Sequence, residues 1–99
     1  MIVVTAIIKI KEEKRNEFLA GVQDLITSSQ EEKGCISYRM YEDTEIRNAF
    51  LFLEEWESQE ILDLHHQEPH FKAFSETLDD FLAAAPEVKV HEVSGTTVS

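Results

Sequence analysis

The 99-residue chain predicts an α+β fold, on three observations. Residues 2–11 and 49–56 are rich in β-branched or aromatic side chains and read as strands. In residues 12–32 and again from Pro69 onward, the apolar period changes from two to that of a helix. Gly and Pro together number only five, and there is no repeat, linker or low-complexity tract, so residues 1–99 are expected to form one domain.

Each element follows from local chemistry. Strand one, IVVTAIIKIK, begins to alternate only at Lys9 and Lys11. In the helix after it, Phe18, Val22, Leu25 and Ser29 make one stripe that Leu19 and Ile26 widen, and Glu12, Glu13 and Glu17 suit its N-terminal end. Gly34 lies where a left-handed stop is expected. Residues 35–43 read as strand two, with Ile36, Tyr38 and Met40 on one face and Cys35, Ser37, Arg39 and Tyr41 on the other. A polar turn at 44–48 leads into strand three, AFLFLEEW. Ser58 is an N-cap for a short helix to about Gln67, with Glu60 in its first turn. Pro69 suits the first position of the next helix, whose stripe is Phe71, Phe74, Leu78 and Phe81 or Leu82. Pro86 ends it, and Val88, Val90 and Glu92 alternate with Lys89, His91 and Val93 in strand four.

The order β-α-β-β-α-α-β, with right-handed crossovers, is the ferredoxin-like split βαβ arrangement, a four-stranded antiparallel sheet with its helices on one face. Strands one and three are nevertheless apolar on both faces. A monomer would leave an apolar sheet face in water, so a homodimer closed as a two-sheet α+β barrel is expected. Residues 94–99 are expected as a flexible or partner-crossing tail.

Twenty acidic against nine basic side chains give a formal charge of −11. No Lys/Arg cluster is available for phosphate backbones or anionic lipid, which argues against nucleic acid and membrane partners. No apolar run approaches the ~20 residues of a membrane helix, and the N-terminus lacks the marks of a signal peptide, so a cytoplasmic location is expected. The single cysteine, Cys35, excludes an intramolecular disulfide and reads as a small core hydrophobe. Residues 42–68 hold nine carboxylates against Arg47 alone, which reads mainly as a solvated face without EF-hand-like spacing.

Two constellations could carry chemistry. His65, His66 and His70 fall within six residues, and imidazole exchanges a proton near neutral pH. His66 and His70 have the spacing of one helix face, but Pro69 should break the helix between them. A third ligand of fixed spacing is missing, so no metal is expected. Histidines at a helix–helix corner are the structural alternative. Glu54 and Trp56, on one face of strand three, could mark either a fraying strand end or a pocket for a flat apolar ligand. No Gly-rich phosphate loop is present, so nucleotide, nicotinamide and flavin cofactors are not expected.

The stretch Glu54-Glu-Trp56, then His65 nine residues after the Trp, then Pro69-His70-Phe71, resembles the signature of antibiotic-biosynthesis monooxygenase domains. Lys72-Ala-Phe-Ser-Glu76 is similar to the bacterial quinol monooxygenase branch, and Lys33-Gly34-Cys35 approximates a pattern common before strand two there. The resemblance implies a dimeric α+β barrel with one cavity per subunit. It also implies a monooxygenase that uses neither metal nor flavin, because a deprotonated quinol or polyketide-like phenol can pass an electron to dioxygen itself. Carried over, it makes His65 and His70 the proton-transfer and substrate-orienting groups and Glu54 a hydrogen-bonding orienter. Trp56 becomes a cavity wall, with Tyr38, Phe52 and Phe71 as further lining. The partners implied are a small aromatic substrate, dioxygen and a second copy of the chain.

Haem-degrading relatives resemble an Asn–Trp–His set that is missing here: strand one has no Asn, His65 stands near the Trp position, and no His lies near Ser75. An autoinducer sugar-phosphate isomerase with the same His-x4-His spacing is one alternative. A dimeric protein that binds small aromatics without turning them over is another.

Overall fold

A computed structural model describes residues 1–99. Four strands, β1 (Ile2–Lys9), β2 (Cys35–Glu42), β3 (Ala49–Trp56) and β4 (Glu87–Glu92), form one antiparallel sheet in the order β2-β3-β1-β4. Helices α1 (Arg15–Gln30), α2 (Gln59–His65) and α3 (Pro69–Phe81) connect them. This is the α+β, ferredoxin-like arrangement expected from the sequence. No helix is long and apolar enough to cross a membrane.

The core lies between the sheet and the helices because alternate residues of the two central strands face the same way. Ile2, Val4 and Ile8 of β1 and Phe50, Phe52, Glu54 and Trp56 of β3 are buried there, with Ala6 packed against them. Helix α1 buries the four residues of its predicted stripe, Phe18, Val22, Leu25 and Ser29. Phe18 sits at the centre of an aromatic group, with ring centroids 5.1 Å from Phe50, 6.4 Å from Phe74 and 6.2 Å from Phe81. The opposite face of the sheet carries Val3, Thr5, Ile7, Leu51 and Leu53, and Ile7 is 40% and Tyr41 50% exposed.

Three local expectations need correction. Strand one stops at Lys9, and a 3-10 turn at Glu12–Lys14 precedes α1. Ile10 N–H still donates to Asn48 O at 2.9 Å, but beyond it the chain bonds to the end of α3: Lys11 N–H donates to Phe81 O at 2.8 Å, and Ala83 N–H to Lys9 O at 2.8 Å. In β2 a bulge shifts the register between Cys35 and Ser37. Cys35 therefore stands opposite Trp56 and packs on the core, while Ile36, assigned to the Tyr38 face by simple alternation, is 51% exposed. At the C-terminal end β4 closes at Glu92, so Val93 lies just outside it, although its N–H still donates to Met1 O at 2.8 Å.

The connections bear out their sequence signals. Gly34 has φ +87°, and an added Cβ would lie 2.7 Å from the Ile61 side chain, so both backbone and space require glycine. The Ser58 hydroxyl accepts from Ile61 N–H at 3.3 Å and caps α2, and Pro69 begins α3 after an extended Glu68. At the far end of the molecule, Arg15 clamps the β2–β3 turn by donating to Glu42 at 2.8 Å and to Asn48 at 2.7 Å.

Candidate functional site

The alternation that builds the core also opens a cavity within it. A space of about 160 Å³ lies between the helix-facing side of the sheet and α3. Val4, Ala6 and Ile8 of β1 form its floor with Phe52 and Glu54 of β3, and Tyr38 of β2 closes one side. Phe71, Phe74, Ser75 and Leu78 of α3 form the roof with Leu25 of α1, and His66, Pro86 and Val88 complete the rim. No lysine or arginine lines it.

Glu54 is the one acidic group in this apolar space. Its position follows from the strand period: two residues before Trp56 and directly opposite both Val4 and Tyr38, it has no route to the solvent face. It is 7% exposed, and burial raises its carboxyl to about 7. The Trp56 indole N–H donates to Glu54 Oε1 at 3.1 Å and works against that rise, whereas the negative charge of Glu32 adds to it. Tyr38, packed beside Phe52 and Trp56, has its phenol pushed far above the usual range, chiefly by burial and then by Glu54, so it stays protonated. Burial likewise raises the Cys35 thiol to about 11, which makes it unreactive at neutral pH.

Behind the cavity wall lies a second polar group. His65 ends α2 and is 1% exposed. Its ring centroid is 4.5 Å from Trp56, 4.9 Å from Phe71 and 5.6 Å from Tyr38. His65 Nδ1 lies 2.7 Å and His70 Nε2 2.6 Å from the same oxygen, Glu32 Oε2. A carboxylate oxygen accepts, so both ring N–H groups donate to it. This fixes His65 as the Nδ1–H tautomer and leaves its buried Nε2 without a partner. Burial lowers the basicity of His65, the bond to Glu32 opposing it.

The sequence-derived site residues thus divide into two layers. Tyr38, Phe52, Phe71 and Glu54 line the cavity, and Trp56 stands behind Glu54 as its hydrogen-bond donor. His65 and His70 are brought together, by Glu32 and not by helical spacing, outside the lining. The helix break at Pro69 is what separates His66 from His70. Sequence reasoning missed Glu32 and weighed His66 only with His70 as a metal pair, not as part of a cavity. Glu32 lies in the turn after α1, 33 residues from His65, and no local spacing signals it. His66 reaches the rim from the α2–α3 corner.

Comparison with known proteins bears on the family and the fold. The profile described as Antibiotic biosynthesis monooxygenase matches residues 1–77. An uncharacterised protein of Synechocystis, sll1783, is 44% identical over 95 residues, 96% of this chain, and the chain spans 65% of that protein's length. YcnE of Bacillus subtilis, provisionally named a monooxygenase, is 36% identical over 94 residues, covering 95% of this chain and 99% of that one. A conserved protein from Methanosarcina mazei superposes with a TM-score of 0.87 at 33% identity, over 91% of this chain and 89% of that one. Rv0793 of Mycobacterium tuberculosis reaches a TM-score of 0.91 over 98% of both chains, and at 24% identity it attests the fold alone. The chain belongs to the antibiotic biosynthesis monooxygenase family.

Proposed function

We propose that the protein is a cofactor-independent monooxygenase that oxidises a small quinol or related phenol with dioxygen. The observation that carries this reading is a carboxylate with a pKa of about 7, buried in an otherwise apolar cavity. Such a group accepts a phenolic proton at neutral pH, and the apolar walls hold a flat ring while keeping water away. The deprotonated substrate then supplies the electrons. One oxygen atom becomes bonded to a ring carbon, the other leaves as water, and a quinol becomes a hydroxyquinone. Glu54 is the base in this scheme and Trp56 its orienter; Tyr38, Phe52 and Phe71 hold the ring. His65 and His70 support the site from behind by fixing α2 and α3 against Glu32.

The size and charge of the cavity narrow the substrate. A dry cavity of about 150 Å³ accepts benzene, so about 160 Å³ suits one ring with small substituents. Without a lysine or arginine in the lining, and with Glu54 present, a phosphorylated sugar is disfavoured relative to an uncharged aromatic. The apolar reverse face of the sheet supports a homodimer as the working unit.

The test is oxygen uptake with a panel of one-ring and two-ring hydroquinones, with chelator and without flavin. Enzyme-dependent uptake that falls by about 10²–10⁴ in Glu54→Gln is expected for loss of a general base. A panel member that binds, as seen by quenching of Trp56 fluorescence, and gives no uptake would favour the non-catalytic binding protein instead.

A further inference from the structure

The sequence offers two histidines without a third ligand, but the fold supplies one. Glu32 Oε2, His65 Nδ1 and His70 Nε2 all lie within 4.8 Å of one another. We propose that these three side chains form a divalent transition-metal site, with zinc the best-matched ion, in the wall behind the cavity. The inference stands independently of the monooxygenase reading, which places the chemistry on Glu54.

The donor set is the first reason. Two imidazoles and one carboxylate suit zinc, cobalt and nickel better than calcium or magnesium, which favour all-oxygen shells. Three protein ligands are also the number found in zinc sites that keep one position open.

Geometry is the second. At metal–ligand bonds of about 2.0–2.1 Å, tetrahedral ligands stand about 3.3 Å apart. Glu32 Oε2 lies 2.7 and 2.6 Å from the two nitrogens, so the carboxylate withdraws by about 0.7 Å from each, while the part-exposed His70 ring draws in to close the N···N edge, which is at most 4.8 Å. Glu32 is placed in a turn outside α1, where its side chain can make that adjustment. Upon binding, the protons on His65 Nδ1 and His70 Nε2 each move to the other nitrogen of their ring, and each imidazole offers a neutral lone pair.

The third is how the ligands are held. They come from three separate pieces of chain: the turn after α1, the last residue of α2 and the second residue of α3. The His65 ring is fixed on Trp56 and Phe71, whereas the Glu32 and His70 side chains keep 11% and 19% exposure. An ion therefore has a route in from the Glu32–His70 side, and its open position faces solvent, not the cavity. The chain's net charge of −11 favours cations near its surface.

Calorimetric titration of the chelator-treated full chain with Zn²⁺ tests this, with Co²⁺ absorption as a second readout. One saturable equivalent is expected, with a visible Co²⁺ band of four- or five-coordinate intensity. His70→Ala and Glu32→Gln should each weaken binding at least tenfold, while His66→Ala and His91→Ala leave it unchanged. The part-exposed His70 makes its variant the safer one to fold, and a thermal melt without metal checks both. No stoichiometric binding by the wild type, or binding that survives both substitutions, overturns the proposal. Neither readout uses oxygen uptake, so this result and the test of Glu54 are separable.

Discussion

Glu54 links stability and activity through one proton. Its folded pKa of about 7 lies above the ordinary carboxyl value of 4.5, so between those pH values the folded chain binds a proton that the unfolded chain has released. Stability is fullest below the unfolded value and declines as pH rises through about 7. The shift is equivalent to about 3 kcal/mol. Glu54→Gln keeps an oxygen for the Trp56 N–H and removes the charge. It should match the wild type in denaturant unfolding near pH 4 and exceed it by roughly 1–3 kcal/mol at pH 8. The activity profile should run the other way, with wild-type kcat/KM rising through pH 7 as the carboxylate forms. Glu54 was legible in the sequence because it shares a strand face with Phe52 and Trp56, which must be buried. Glu32 was not, because its two partners lie across turns and helices whose packing no local pattern encodes.

At the scale of elements, the joints decide the site. Gly34 lets the chain turn from α1 into β2 while Ile61 of α2 packs where a Cβ would stand. That joint also sets the position of Glu32 two residues earlier. Gly34→Ala meets both a left-handed φ and a side-chain clash, and should cost about 1–3 kcal/mol in urea unfolding. Adding Ile61→Ala should recover only the steric part, since the backbone conformation remains. The acid side of the stability curve depends on the other end of the molecule. Hydrogen bonds from Arg15 and from the Asn48 backbone hold Glu42 at about 2, so its contribution is present above pH 4.5 and fades as pH falls toward 2. Arg15→Ala should lower the midpoint of thermal unfolding at pH 7 and make it less sensitive to acid. The element order and caps could be read from period and turn residues. The β2 bulge could not, because CISYRMYE alternates acceptably in either register and only pairing with β3 decides which residue is pushed out.

For the whole molecule, the question is what covers the reverse face of the sheet. All three helices lie on one side, and the other carries Ile7, Tyr41, Leu51 and Leu53 in its centre, with Lys9, Arg39, Glu55 and Lys89 around them. An apolar centre within a charged rim is the pattern of a surface that pairs with another. The occupant we propose is a second copy of the chain, for α1, α2 and α3 are all committed to the core on the other face. Burying Ile7 and Leu51 across a two-fold axis would count each residue twice, so one charge there should act twice as well. Ile7→Glu is therefore expected to shift the protein from dimer to monomer in sedimentation at micromolar concentration. The same substitution should leave the fold intact by circular dichroism, because Ile7 is already 40% exposed within one chain. A wild-type monomer at that concentration would refute the pairing and leave the cavity, which lies wholly on the other side of the sheet, complete within one chain.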